Sequence, residues 1–228
     1  MIVLCADSSP FFHPRLAQPV NRMIGAAIKS RKISSAVYFG GANGYLPEYA
    51  ELAGAIAGGL GTNECLSVGS ASLGRNDCNA LAELQLPAVS GPALIILAGG
   101  SVTEGWKILS EATVKNWLET QLRIGAIFIG VSAGAIHLAA GLDDNGDALQ
   151  YLGWVPANIA VHEESLGWPS SAILGQNNGQ VLEIPMGEVV TFDPGESERP
   201  TFQSLAGKAV LNRGGKGRMP IPAGGFSQ

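Results

Sequence analysis

Two runs constrain this chain more than any other feature: "ALIILA" (residues 93–98) and "AIFIGV" (residues 126–131). Each is apolar at almost every position, so a strand made from either must be covered on both faces. Such strands belong inside a mostly parallel sheet wrapped by helices, and the rest of the first two-thirds of the chain supplies the wrapping. "IVLC" (residues 2–5), "SAVYFG" (residues 35–40) and "CLSV" (residues 65–68) read as further strands. Between them, Val20, Met23, Ile24, Ala27 and Ile28 recur at the spacing of one buried helix stripe. Residues 48–60 also read as helical, and Val114, Trp117, Leu118 and Leu122 make a third stripe. After Trp154 the texture changes to short runs, "AILG", "QVLEIP" and "EVVTF", divided by Gly, Asn and Pro. These read as strands of a small β-hairpin region. No linker or repeat divides residues 1–228, so a single α/β domain is expected.

Composition excludes several classes of function. A net charge of -5 leaves no electrostatic footprint for nucleic acid, and the one basic cluster, "NRGGKGR" (residues 212–218), reads as a solvated loop. Cys5, Cys65 and Cys78 are odd in number and form no CxxC pair, which fits a reducing compartment better than a disulfide framework. The opening "MIVLCADSSP" has no basic flank of a signal peptide, and no run reaches the roughly 18 apolar residues of a membrane span. A soluble, cytoplasmic protein without a membrane partner is expected.

The stretch "FIGVSAGAIHLA" (residues 128–139) carries the chemistry. Gly130, Ser132 and Gly134 form G-x-S-x-G directly after a buried strand and before a helix expected over residues 133–140. A sharp strand-to-helix turn strains the serine backbone and needs the flanking glycines to avoid collisions. The hydroxyl then stands clear of the sheet, and the Ala133 N–H is available to a developing oxyanion. A nucleophilic serine needs a base, and the chain has three histidines. His13 lies in the first loop and His137 inside the serine's own helix. His162 ends the apolar run 159–161, at a strand end, where catalytic groups collect in open α/β sheets. Asp143, Asp144, Asp147, Glu163 and Glu164 are the candidate orienting acids. On a continuing strand Glu164 would share the face of His162. A calcium loop at residues 143–154 is excluded, because Ala148 replaces the required glycine and Trp154 the bidentate glutamate.

Taken together, "LIILAGGSVTEGWKIL", "IFIGVSAGAIHLA" and "LQYLGWVPANIAVHEE" resemble the S51 serine peptidases, the dipeptidase E and cyanophycinase family. The resemblance runs in order from Ala93 to Glu164 and more weakly through "VNRMIGAAIKSRKISSAVYFGGANG". It implies a flavodoxin-like three-layer sandwich related to class I glutamine amidotransferases, with helices on both faces of a mostly parallel sheet. It implies Ser132 as nucleophile, His162 as general base, and an oxyanion hole of Ala133 N–H plus one N–H from the Gly99–Gly100 turn. By position Asp147 best matches the aspartate of dipeptidase E, with Glu164 in reserve. No metal or cofactor is implied, and a homodimer stays open. The departures concern substrate. Ser101 stands where the family usually has Asn or Asp, and Val102 where cyanophycinases have glutamine. No Lys or Arg occurs between Arg123 and Arg199, so the family's acidic-residue specificity does not transfer. Ser101, Glu163 and Glu164 become the substrate-contacting candidates, and Glu104 and Trp168 near the mouth would also suit a cationic or aromatic group.

The expected activity is cleavage of a small peptide or isopeptide through a Ser-His-acid triad and an acyl-enzyme. An esterase is the first alternative. The short interval from residue 132 to residue 162 argues against the usual α/β-hydrolase layout, where the histidine comes near the chain's end. A binding protein on the same scaffold, without catalysis, is the second.

Overall fold

A computed structural model describes residues 1–68, 85–176, 179–194 and 201–224; Cys78 and Arg199 lie outside them. Seven strands build the main sheet: β1 (Ile2–Cys5), β2 (Ser35–Phe39), β3 (Glu64–Val68), β4 (Leu94–Leu97), β5 (Ile127–Val131), β10 (Val189–Phe192) and β11 (Phe202–Ser204). Their order is β11-β10-β1-β5-β4-β2-β3. The five strands from β1 to β3 are parallel, and β10 and β11 extend the sheet antiparallel beyond β1. The two runs that are apolar throughout become β4 and β5, side by side at the centre, as double-sided burial requires.

Alternation along each strand divides the core. Val3, Ala36, Tyr38, Leu94, Ile96, Ile127 and Ile129 face one way, against Val20, Ile24 and Ile28 of α1 (Ala17–Ser30) and Ala53, Ile56, Ala57 and Leu60 of α2 (Pro47–Leu60). Val37, Phe39, Ile95, Leu97 and Phe128 face the other way, against Leu109 of α3 (Val102–Leu109) and Val114 and Leu118 of α4 (Ala112–Arg123). The result is the flavodoxin-like three-layer arrangement.

The same second face also meets a six-stranded sheet, larger than the small hairpin region expected from the sequence. It comprises β6 (Ala140–Leu142), β7 (Ala148–Gln150), β8 (Asn158–Val161), β9 (Val181–Ile184), β12 (Val210–Asn212) and β13 (Arg218–Pro220), in the order β13-β12-β9-β8-β6-β7. Ile159, Leu182, Ile184 and Leu211 bring its apolar side into the core behind Phe128. Strands of three or four residues carry too little periodicity to be recognised singly. "AILG" reads as a strand in the sequence, but its first three residues complete a helix, α6 (Pro169–Leu174), started by a proline at its first position. The cluster "NRGGKGR" is no free loop either: it turns from β12 into β13, and Arg218 pairs with Glu183, a carboxylate only 1% exposed.

The helix after the serine, α5 (Ala133–His137), is shorter than expected, because the chain turns at Leu138 into β6. Its first turn lies hard against the sheet. A methyl on Gly130 would stand 2.5 Å from the Gly134 carbonyl oxygen, and one on Gly134 would stand 2.2 Å from the Leu97 carbonyl oxygen. Both contacts are with backbone, which cannot step aside. Gly134→Ala is therefore expected to cost about 3 kcal/mol or more of folding stability, or to prevent folding, when urea unfolding is compared with the parent.

Candidate active site

All the parallel strands end at one edge, and the loops leaving that edge converge. From β4 the chain runs through Gly99 and Gly100 into α3, and from β5 it turns through Ser132 into α5. Ser132 has φ 51° and ψ -112°, a positive-φ conformation outside the regions that non-glycine residues ordinarily occupy. Its amide is held by the Cys5 carbonyl at 2.9 Å, and its own carbonyl accepts from Ala135 N and Ile136 N. Gly99 packs so closely beneath it that an added methyl would lie 3.2 Å from the Ser132 Cβ. Gly100, at φ 131°, leaves no room for a side chain, since a methyl there would fall 2.1 Å from the Ala42 carbonyl oxygen.

His162 arrives from the other sheet. It follows β8 immediately, with its N–H bonded to Ile184 O of β9 at 2.9 Å, and it too has a positive φ, 45°. Ser132 Oγ and His162 Nε2 stand 2.9 Å apart. Five described non-glycine residues have positive φ, and two of them are this hydrogen-bonded pair. Backbone strain is thus concentrated where the two side chains meet. The other histidines are elsewhere engaged: His13 Nδ1 accepts from Arg15 N, and His137 is buried.

The carboxylates are placed differently from the expectation. Asp147 sits exposed in the β6–β7 turn, where its N–H donates to Asp143 Oδ1 and its carbonyl accepts from Asp143 N. The turn winds around Asp143, which also accepts from Asn145 N. Glu164 does not share a strand face with His162, because the chain leaves β8 and enters a 3-10 turn over Glu164–Leu166; its carboxylate accepts from Met186 N at 3.1 Å. Glu163 accepts from the Ser170 hydroxyl and from Ser170 N, tying the histidine turn to α6. Among the described residues no carboxylate hydrogen-bonds His162 Nδ1, and the described hydrogen-bonded unit is the Ser132–His162 dyad with acids beside it.

Asp144 has a role that no local pattern in the sequence announces. It receives the Ser101 hydroxyl, Val102 N at 3.1 Å and Thr103 N at 3.0 Å, and so caps α3. Burial alone would raise its pKa, but these hydrogen bonds outweigh it and hold the carboxyl below the usual range. Ser101 is the N-cap, its oxygen accepting from Glu104 N at 3.0 Å, so its hydroxyl is occupied in structure. "SVTE" has the S-x-x-E form of a capping box, the one signal from which the start of α3 was readable. This cap anchors the segment just after Gly100.

Gly100, Ser132, Ala133 and His162 line a common cleft of about 350 Å³, together with Asp143, Asp144, Glu163 and Ser170. Ile136, Leu142, Ile159 and Val161 give it an apolar wall, and among the described residues no Lys or Arg lines it. Of the residues foreseen for the site, Ser132, His162, Gly100, Ala133 and Glu163 meet in this cleft. Asp147 and Glu164 do not line it, and Gly99 faces a neighbouring cavity between α2 and the sheet edge. Among the described residues no helix is long and apolar enough to cross a membrane.

No family model matches the sequence, and neither does any curated protein. Solved structures do resemble the fold. A peptidase from an acI-B1 Actinobacterium superposes with a TM-score of 0.65 at 16% identity, covering 98% of this chain and 94% of its own. A "Putative Peptidase E Protein from Listeria monocytogenes EGD-e" superposes with a TM-score of 0.54 at 14% identity, covering 90% of this chain and 98% of its own. At such identities the likeness is one of fold.

His137 anchors the two halves of this edge to each other. Its Nε2–H donates to Val102 O at 2.8 Å, Trp106 stacks on the ring at 6.4 Å, and Tyr151 meets it edge-on at 5.5 Å. Burial pushes its pKa down to about 4, against the smaller opposing effects of Val102 O and Asp144. Between pH 6.5 and 4 the unfolded chain therefore binds a proton that the folded chain refuses. The stability present above pH 6.5 falls as the pH drops through this window, by roughly 3 kcal/mol from this group. His137→Gln is expected to flatten that part of the stability–pH curve, measured by urea unfolding at several pH values.

Proposed function

We propose that this protein is a serine hydrolase that cleaves small peptides or isopeptides, with Ser132 as nucleophile and His162 as general base. The observation that carries this reading is the 2.9 Å contact between Ser132 Oγ and His162 Nε2, made by a serine held at positive φ on a strand-to-helix turn. The likeness in fold to proteins named as peptidases supports it.

In the productive tautomer the Ser132 hydroxyl donates to Nε2 and the imidazole proton sits on Nδ1. Oγ attacks the scissile carbonyl carbon, a C–O bond forms, and the hydroxyl proton passes to Nε2. The carbonyl electrons move onto oxygen, where the Ala133 N–H and an N–H of the Gly99–Gly100 turn are the proposed donors. Collapse of the tetrahedral species breaks the C–N bond, and Nε2 returns the proton to the leaving amine. Water then repeats the sequence on the acyl-enzyme, with His162 again as base. The imidazolium formed on the way faces a cleft lined by Asp143, Asp144 and Glu163, whose charge favours it without a direct hydrogen bond.

The same three carboxylates, with no Lys or Arg among the described lining residues, favour a substrate bearing a free ammonium over one with an acidic side chain. N-acetylation of a cleavable dipeptide is expected to lower kcat/KM tenfold or more, read by mass-spectrometric assay of product. Ser132→Ala is expected to reduce turnover by at least 10³-fold with little change in the melting curve, because alanine fits the same backbone at least as well. An alanine variant that still turns over dipeptides would overturn the reading, and esters hydrolysed while every amide is refused would move it to an esterase.

A further inference from the structure

A second cavity, of about 220 Å³, adjoins the dyad cleft at Gly100, which lines both. It lies between α2 and the sheet edge at β2, β4 and β5. Leu52, Ala53 and Ile56 form the helix wall, Ile96, Ala98 and Val131 form the sheet wall, and Tyr38 and Tyr49 flank them. Gly99, packed against the Ser132 Cβ, is part of the same lining. The cavity therefore lies beside the nucleophile rather than remote from it.

Its chemistry differs from that of the dyad cleft. Where three carboxylates line the first space, none of the described residues lining the second is charged. Its polar groups are Ser8, the tyrosines and Asn43, whose Nδ2 donates to Tyr38 Oη at 2.7 Å while its buried Oδ1 has no partner. Burial has raised the Tyr38 pKa, the Asn43 hydrogen bond only partly offsetting it, so the phenol is neutral at physiological pH. A charged group entering this space would lose its hydration and find no counter-ion among the described lining residues. An apolar or aromatic side chain would exchange water for contact with the aliphatic and aromatic walls.

We propose that this cavity is the pocket for the substrate side chain next to the scissile bond, and that it selects a large neutral side chain, apolar or aromatic, over a charged or small one. The inference rests on the hydrolase reading and deepens it. An ammonium group is received on the acidic side of Gly100, and an uncharged side chain on the other.

The test uses the full chain and two series of dipeptides, X-Ala and Ala-X, with X drawn from Ala, Leu, Phe, Tyr, Asp and Lys. Diisopropyl fluorophosphate, which presents no amino-acid side chain, is used in parallel to label the wild-type protein. In at least one series Leu, Phe and Tyr are expected to exceed Ala, Asp and Lys by tenfold or more in kcat/KM. Ala53→Leu fills the cavity from the helix wall and is expected to lower the Phe-to-Ala ratio at least fivefold. Should that variant fail to fold, Tyr49→Ala removes a rim side chain that is 43% exposed, and it is expected to lower the same ratio severalfold. In protein that labels, a flat, acidic or basic profile, or no turnover of any member, overturns the pocket and leaves the nucleophile standing. A preference that both folded variants leave unchanged overturns it as well. Folded protein that does not label at all overturns the hydrolase reading and the pocket together.

Discussion

The constraint on which the rest depends is the close approach of the first turn of α5 to the ends of β4 and β5. Backbone meets backbone there at distances that leave no room for a methyl on Gly130 or Gly134. With both positions bare, the chain turns from strand to helix within one residue, and that residue is Ser132 at positive φ. Gly99, packed under the serine Cβ, extends the same intimacy to the next loop. A looser turn would let the serine relax to an ordinary conformation, and its hydroxyl would no longer be presented at the sheet edge.

The nucleophile and its partner come from different sheets, so their meeting depends on how the layers pack. His162 leaves β8 with its amide bonded to Ile184 of β9, and the apolar side of that sheet is sealed against the central one through Ile159, Leu182, Ile184 and Phe128. Glu163 and Glu164, the acids beside the histidine, spend their carboxylates on Ser170 and Met186 N. Asp144 and Ser101 do the equivalent for the loop after Gly100 by capping α3. Most polar side chains around the dyad thus hold loops in place, which fixes the Ser-His distance without direct contact with either group. That division of labour suits a site whose two central residues both carry strained backbones.

Much of the central layer was legible because its signal is strong and local. A run such as "ALIILA" admits few solutions, and a helix stripe such as Val20, Ile24 and Ile28 points unambiguously inward. The second sheet was largely illegible, since strands of three residues such as β6 and β7 are too short to show a period. Segment 172–174 joined a helix because Pro169 starts one and Leu174 and Ser171 find burial there. The glutamate expected on the histidine's face lies off it because the strand stops at Val161, and alternation has no meaning past the last paired residue.

By itself the sequence determined the kinds of residue that meet at the site: a serine between glycines after a buried strand, and a histidine at the end of a short apolar run. Those choices are local, because steric demand and burial act within a few residues. Only the tertiary structure decided which acids line the cleft of the imidazole, which cap a helix or tie a turn, and that a cavity with no charged residue in its described lining opens on the far side of Gly100. Hydrogen bonds such as Asp144 to Ser101, across 43 residues of chain, and contacts such as Ser132 to His162, across 30, arise from the packing of layers. No pattern along the chain encodes them, because their partners become neighbours only when the two sheets close on one core.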